Sequence, residues 1–273
     1  MAIQSFLKAE KGDPDWAFTP EHYIGKEFKI IEASHLDLPR GKKEQITLRQ
    51  SPIEKELLAK HLRIEIREDA ELDLTIINEA TTSLQQVFIY DIHIRDGGYL
   101  NMGVFAKGGK LNKHIIQVNI ENFASFNLYG HSMNNVGGDC EIITKIDHQG
   151  STSVSNQLFT CEAGKNSQTV FQGMVYVFNE SERVTVGIDV TNLITEMGGK
   201  CQSVPQITNN NDTARISSGT STNFLDQDQI YYLQIRGIDE LRAEKLLINK
   251  HRSRSLDIIT NKEIRDEVNQ LLG

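Results

Sequence analysis

Apolar alternation restarts along the middle of this chain at a near-constant interval, and few architectures accommodate that. Ile66, Ile94, Ile120, Ile146 and Val177 each close an alternating apolar run. Four residues after each comes a small residue, Ala70, Gly98, Ala124, Gly150 and Ser181, at spacings of 28, 26, 26 and 31. Alternation then resumes in Leu72 and Leu74, Leu100 and Met102, Phe126 and Leu128, and Thr152 and Val154, with Asp73, Asn101, Asn127 and Ser153 between them. A period of two means strands with one buried face. A unit of two such strands cannot bury its apolar side alone, but a stack of them can. The expected fold is mainly β: a right-handed parallel β-helix, a solenoid whose strands stack ~4.8 Å apart and whose small residues turn a corner. A sandwich of hairpins would repeat Asn-Gly or Asp-Gly turns, and Asp96-Gly97 is the one such pair here.

The flanks lack the repeat. Residues 1–60 read as an irregular N-terminal cap, with Ser51-Pro52-Ile53-Glu54 starting a short helix through Leu62. Residues 61–223 form the β-helix core, the polar stretch 208–223 being a loop or weak edge strand. Residues 224–273 turn to helical periodicity. Asp226 caps a helix holding Ile230 and Leu233, Asp239 caps a second with Ile238 as its hydrophobic staple, and Thr260 with Glu263 forms a capping box for a third.

Composition narrows function mainly by exclusion. Of the 273 residues, 29 are Lys or Arg and 37 are Asp or Glu, a net charge of −8. That lacks the basic stripe of a nucleic-acid binder. No apolar run is long enough for a membrane span, and the N-terminus lacks a signal-peptide core, so a cytoplasmic location is expected. Cys140, Cys161 and Cys201 have no CxxC spacing, which argues against a disulfide framework or structural zinc. Cys201, after Gly198-Gly199-Lys200, is the thiol expected to be most exposed. His93, His114, His131 and His148 are spaced by 21, 17 and 17, out of step with the repeat, so they should not share a column, and no metal site is expected. The Gly-Gly-Lys itself lacks the rest of a P-loop. A polysaccharide-active β-helix enzyme, the alternative reading, would place acids in one outward column. In the expected column Asp73, Asn101, Asn127 and Ser153, one residue is an acid.

Three further segments, in order, resemble the SufB/SufD family, the scaffold proteins of the SUF iron–sulfur cluster assembly system. They are His148-Gln149-Gly150 with Ser153, Ser155 and Gln157; Val170-Phe171-Gln172-Gly173-Met174-Val175-Tyr176-Val177; and Leu225-Asp226 through Arg236-Gly237-Ile238, continued by Ala243, Leu246, Leu247 and Ile248. The resemblance covers roughly residues 60–273 and implies a parallel β-helix with a helical C-terminal domain. It implies a non-catalytic, SufD-like scaffold subunit. A SufC-like ABC ATPase would dock through Tyr232, Arg236, Gly237, Ile238, Ala243 and Leu247, and a SufB-like subunit or a second copy would pair with the solenoid. It implies no resident cofactor, only a transient iron–sulfur cluster shared with a partner subunit, for which Cys201, His148 and Ser218 are the candidate residues. The family motif P-x-L-E-I-x-A-D-D-V-K-C-S-H-G-A-T is altered here: from Pro205 onward, Ile216 falls at its cysteine and Ser218 at its histidine. Ile216 has no donor atom and a serine hydroxyl is a poor iron ligand, which argues against cluster ligation by this segment.

Overall fold

A computed structural model describes residues 32–50, 57–209 and 211–273. Twelve strands and three helices follow one another along these residues. The strands are β1 (Glu32–Leu38), β2 (Lys43–Gln50), β3 (Leu57–Ile66), β4 (Glu71–Ala80), β5 (Gln85–Ile94), β6 (Tyr99–Gly108), β7 (Leu111–Ile120), β8 (Ser125–His148), β9 (Val154–Val177), β10 (Thr185–Ile194), β11 (Lys200–Asn209) and β12 (Arg215–Phe224). The helices are α1 (Gln227–Ile235), α2 (Glu240–Leu256) and α3 (Lys262–Leu272).

All pairings are parallel and run between successive turns, which makes a coil of about seven turns. One sheet stacks β1, β3, β5, β7, the second halves of β8 and β9, and β11. The other stacks β2, β4, β6, the first halves of β8 and β9, then β10 and β12. β8 and β9 pass from the second sheet to the first without a break. Between the sheets lies the main apolar core, with Ile64, Ile66, Leu72, Leu74, Ile92, Ile94, Leu100 and Phe126 all fully enclosed.

The tight corner leading from the first sheet to the second explains the small residues. Asp69, Gly97, Phe123, Thr152 and Arg183 there all take left-handed backbone, with φ between 56 and 70°. Ladder bonds continue through the bend, as from Asp69 N–H to Asp96 O and from Gly97 N–H to Asn122 O. Ala70, Gly98 and Ala124 sit just inside it, buried. Gly150 is needed for close approach, because a Cβ there would lie 2.1 Å from the Asn122 nitrogen.

Four sequence expectations change. β1 and β2 pair with β3 and β4, so the described coil begins at Glu32 and not near residue 61. Leu57–Leu62, expected to end a helix, are in β3, where their neighbours are strands β1 and β5; Ser51–Glu56 lie outside the described residues. The third helix is capped by Asn261, whose side chain accepts the N–H groups of Glu263 and Ile264, and not by Thr260. The outward column also shifts. Corners Gln149–Ser153 and Phe178–Val184 are longer than Glu121–Ala124, so Asn127 pairs with Asn156 and Ser153 turns inward. The column reads Asp73, Asn101, Asn127, Asn156, Gly187 and Ser217. It forms a partial amide ladder, with Asn101 Nδ2 3.0 Å from Asp73 Oδ1 and Asn156 Nδ2 3.1 Å from Asn127 Oδ1.

Candidate functional site

The last rung is unfinished. β12 bonds to β10 along one edge, and among the described residues its other edge has no partner strand. All ten of its residues are exposed. Register puts Ile216 in the inner column of Phe126, Ser155 and Val186, and Ser218 in that of Leu128, Gln157 and Ile188. These side chains would face a core if another layer followed; here Ile216 is 40% exposed and Phe224 69%. The residues at the altered motif positions therefore line the open end of the coil.

The chain continues from β12 into α1 and α2. Asp226 starts α1, its carboxylate accepting the N–H groups of Asp228 and Gln229. A Schellman turn ends it: Ile238 N–H bonds Leu233 O, Gly237 N–H bonds Gln234 O, and Gly237 has φ +86°, open to glycine at little cost. Arg236 lies over the Tyr232 ring, 5.2 Å from its centroid. Among the residues expected to contact a partner, Tyr232, Arg236 and Gly237 are exposed, Ile238 and Leu247 are half-buried, and Ala243 is fully buried. The structure adds exposed Tyr231, Ile235, Leu241 and Leu246 to this face. In α1 the apolar residues are not confined to one stripe. Whichever side packs, others stay outside, and that pattern is the sequence signal for the missed residues.

The thiols share one inner corner of the coil. Cys140 and Cys201 stand in the same column as Asn112 and Thr169, and Cys161 stands in the column of Ser132 and Asn192. Ser132 Oγ donates to Cys161 Sγ at 3.4 Å, and Thr169 Oγ1 lies 3.1 Å from Cys201 Sγ. Cys140 and Cys161 are buried, while Cys201 is half-buried. Burial raises all three thiols, Cys161 to about 12, so they stay protonated. His148 is enclosed, with Nδ1 2.7 Å from Ser153 Oγ and Nε2 2.7 Å from Ser155 Oγ. Burial lowers it to about 4, so it is neutral. It lies in the column of Ile120 and Val177, whereas Ser218 lies in the other sheet at the open end. The structure thus separates His148, Cys201 and Ser218.

Residues 26–251 match the family described as SUF system FeS cluster assembly, SufBD core domain. The chain belongs to this SufBD core family. The match takes in the whole described solenoid, α1 and most of α2. The chain is similar to protein ABCI7, chloroplastic, of Arabidopsis thaliana, 24% identical over 90% of this chain and 47% of that protein. It is similar to the iron–sulfur cluster assembly protein SufD of Escherichia coli, 22% identical over 62% of this chain and 40% of SufD. A SufBD family protein of Synechocystis, slr0076, is 25% identical over 44% of this chain and 26% of its own length. The chain spans about half or less of the curated relatives it matches. Among the described residues, no helix is long and apolar enough to cross a membrane.

Proposed function

We propose that this chain is a non-catalytic scaffold subunit of SUF iron–sulfur cluster assembly. In this reading it pairs through its open end with a SufB-like subunit or a second copy, and docks a SufC-like ABC ATPase on α1 and the start of α2. The observation that carries it is the ten-residue β12, exposed along its length with unpaired backbone on one edge, a surface that parallel sheets normally cover. The exposed apolar residues Tyr231, Tyr232, Ile235 and Leu241 of the helices that follow it support a second contact. The cluster is cargo in this scheme and not a resident cofactor. The outward column, with Asp73 as its carboxylate, gives little support to the polysaccharide reading, which needs paired acids.

The test separates the two contacts. Arg215 N–H bonds Val184 O, so by alternation the N–H groups of Ser218 and Thr220 point to the open edge. Ser218→Pro should abolish pairing, read as mass by light scattering, while leaving the bond ladder to β10 intact. Ile235→Asp with Leu241→Asp should abolish ATPase co-purification while the melting temperature holds. An ATPase complex indifferent to both helix substitutions sinks the docking assignment, and a strictly monomeric chain that finds no SufB-like partner sinks the pairing one.

A further inference from the structure

α2 and α3 cover neighbouring stretches of one sheet by different chemistry. α3 is held mainly by apolar contact: Ile264, Val268 and Leu272 pack with Leu256 and Ile259 on Ile77, Phe105, Tyr129 and Met133, with the Arg49–Glu267 ion pair and the Lys107 bond to Leu271 O at its edges. α2 meets β8, β9 and β10 largely through polar groups, with Leu256 at its end joining the apolar cluster. Arg252 binds Glu162 with two of its three guanidinium nitrogens, Nε at 2.8 Å and Nη2 at 2.9 Å. His251 Nε2 lies 3.2 Å from Cys161 O, and Ser255 Oγ 2.9 Å from Thr160 Oγ1, which also meets His131 Nδ1 at 2.8 Å. Arg254 reaches Asp189 at 2.8 Å and also Thr191.

The attachment is confined to one end of the helix. The residues of α2 that are buried are Ala243, Arg252, Ser255 and Leu256, and the ones on the sheet cluster in its last two turns. From Leu241 to Arg252 the helix runs about 16 Å at 1.5 Å per residue, with an exposed face that begins beside α1. A load on α1 or on Leu241 therefore acts at the far end of an arm whose catch is the Glu162–Arg252 pair. The closed catch also holds one polar group at a loss. His131 Nε2 is buried, 3.5 Å from Glu162 Oε2, without a hydrogen bond. Lifting α2 lets water reach it, together with Glu162 and Thr160, so opening exposes groups that water solvates well. Lifting α3 would expose apolar surface.

We propose that α2 is a releasable lever: the Glu162–Arg252 pair is its catch, and release frees the Thr160–Glu162 segment of β9, whose middle residue, Cys161, faces the interior against Ser132. The reading needs no particular partner and stands apart from the ATPase assignment above. Hydrogen–deuterium exchange on the full chain tests it. Arg252→Gln should speed exchange roughly tenfold or more in α2 and in residues 159–163, leaving β3–β7 and α3 unchanged. Arg252→Gln leaves Glu162 as an unpaired buried charge, and should that variant not fold, Glu162→Gln with Arg252→Gln, which removes both charges, takes its place. Val268→Ala on α3 serves as the contrast, expected to raise exchange throughout the solenoid. Unchanged exchange in α2 would overturn the proposal. So would a rise shared equally by the whole solenoid, which would make α2 part of one cooperative unit.

Discussion

Two adjacent layers of the coil occupy the same columns with opposite chemistry. In the fourth turn, β7 and the start of β8 point Ile116, Ile120, Ala124, Phe126 and Leu128 inward. One layer on, the positions in register are Thr144, His148, Ser153, Ser155 and Gln157. The sixth turn returns to Gly173, Val177, Val184, Val186 and Ile188. All five polar residues are buried, and, Gln157 Nε2 apart, they satisfy one another: Thr144 donates to Gln157 Oε1 at 2.7 Å, and His148 bridges Ser153 and Ser155. A solenoid needs matched shape from layer to layer more than matched polarity. A polar layer is tolerated where its hydrogen bonds close within the layer. Such a layer also fits one neighbour register only, because a slip would bury these groups against Ile and Phe without partners.

The contrast predicts different penalties. Phe126→Ala removes a ring with no exposed surface from an apolar layer, and should cost about 3–5 kcal/mol in denaturant titration, with the slope unchanged. A cost below about 1 kcal/mol would mean that the fourth layer is far looser than its enclosure indicates.

Acid should attack the polar layer next. Burial holds His148 at about 4 and, on the neighbouring strand of the same sheet, His114 at about 3, below the unfolded imidazole value near 6.5. Between those limits the unfolded chain binds more protons, so stability is full above about pH 6.5 and falls as pH drops toward 4. The slope reaches up to about 1.4 kcal/mol per pH unit for each imidazole. Glu162 deepens the loss at lower pH. Burial alone would raise its carboxyl, but His131 and Arg252 beside it outweigh that and hold it at about 2. Melting followed from pH 8 to 4 should show the decline, and His148→Leu should flatten it. A flat wild-type profile would show that water already reaches these rings.

The coil was readable from sequence because inner strand positions alternate strictly: Leu72, Leu100 and Phe126 announce their own column. The fifth layer broke that signal twice. His148 stands where an Ile is expected, so Ile146 reads as the end of the run, although it pairs with Val118. The longer corner then displaced Ser153 from the outward column that Asn156 occupies. β1 and β2 are not legible in the sequence because their burial is mixed at the start of the stack, which blurs period two. At the helices, cap residues Asp226 and Asp239 were legible because capping is local. The Glu162–Arg252 catch was not, because residues 90 apart in sequence meet through packing that no spacing rule encodes. The departure at Ile216 and Ser218 was visible as a substitution, and the coil adds that both face an uncovered layer.

Ser155→Ala should cost less than Phe126→Ala, about 1–3 kcal/mol, since it leaves one side of the His148 ring without its partner. The smallest effect should come from Thr144→Val combined with Gln157→Leu. Each single change strands a partner: Thr144→Val removes the donor to Gln157 Oε1, and Gln157→Leu orphans the Thr144 hydroxyl. The pair removes both, and with them Gln157 Nε2, which is buried with no hydrogen bond. Replacing both partners by apolar groups of similar shape is near neutral, and the leucine matches Leu128 and Ile188 in the same column. The double variant should therefore lie within about 1 kcal/mol of wild type, with each single variant lower. A double variant as unstable as the sum of its singles would mean that the polar layer holds the coil's register and not merely its own hydrogen bonds, and the two layers would then differ in role as well as in filling.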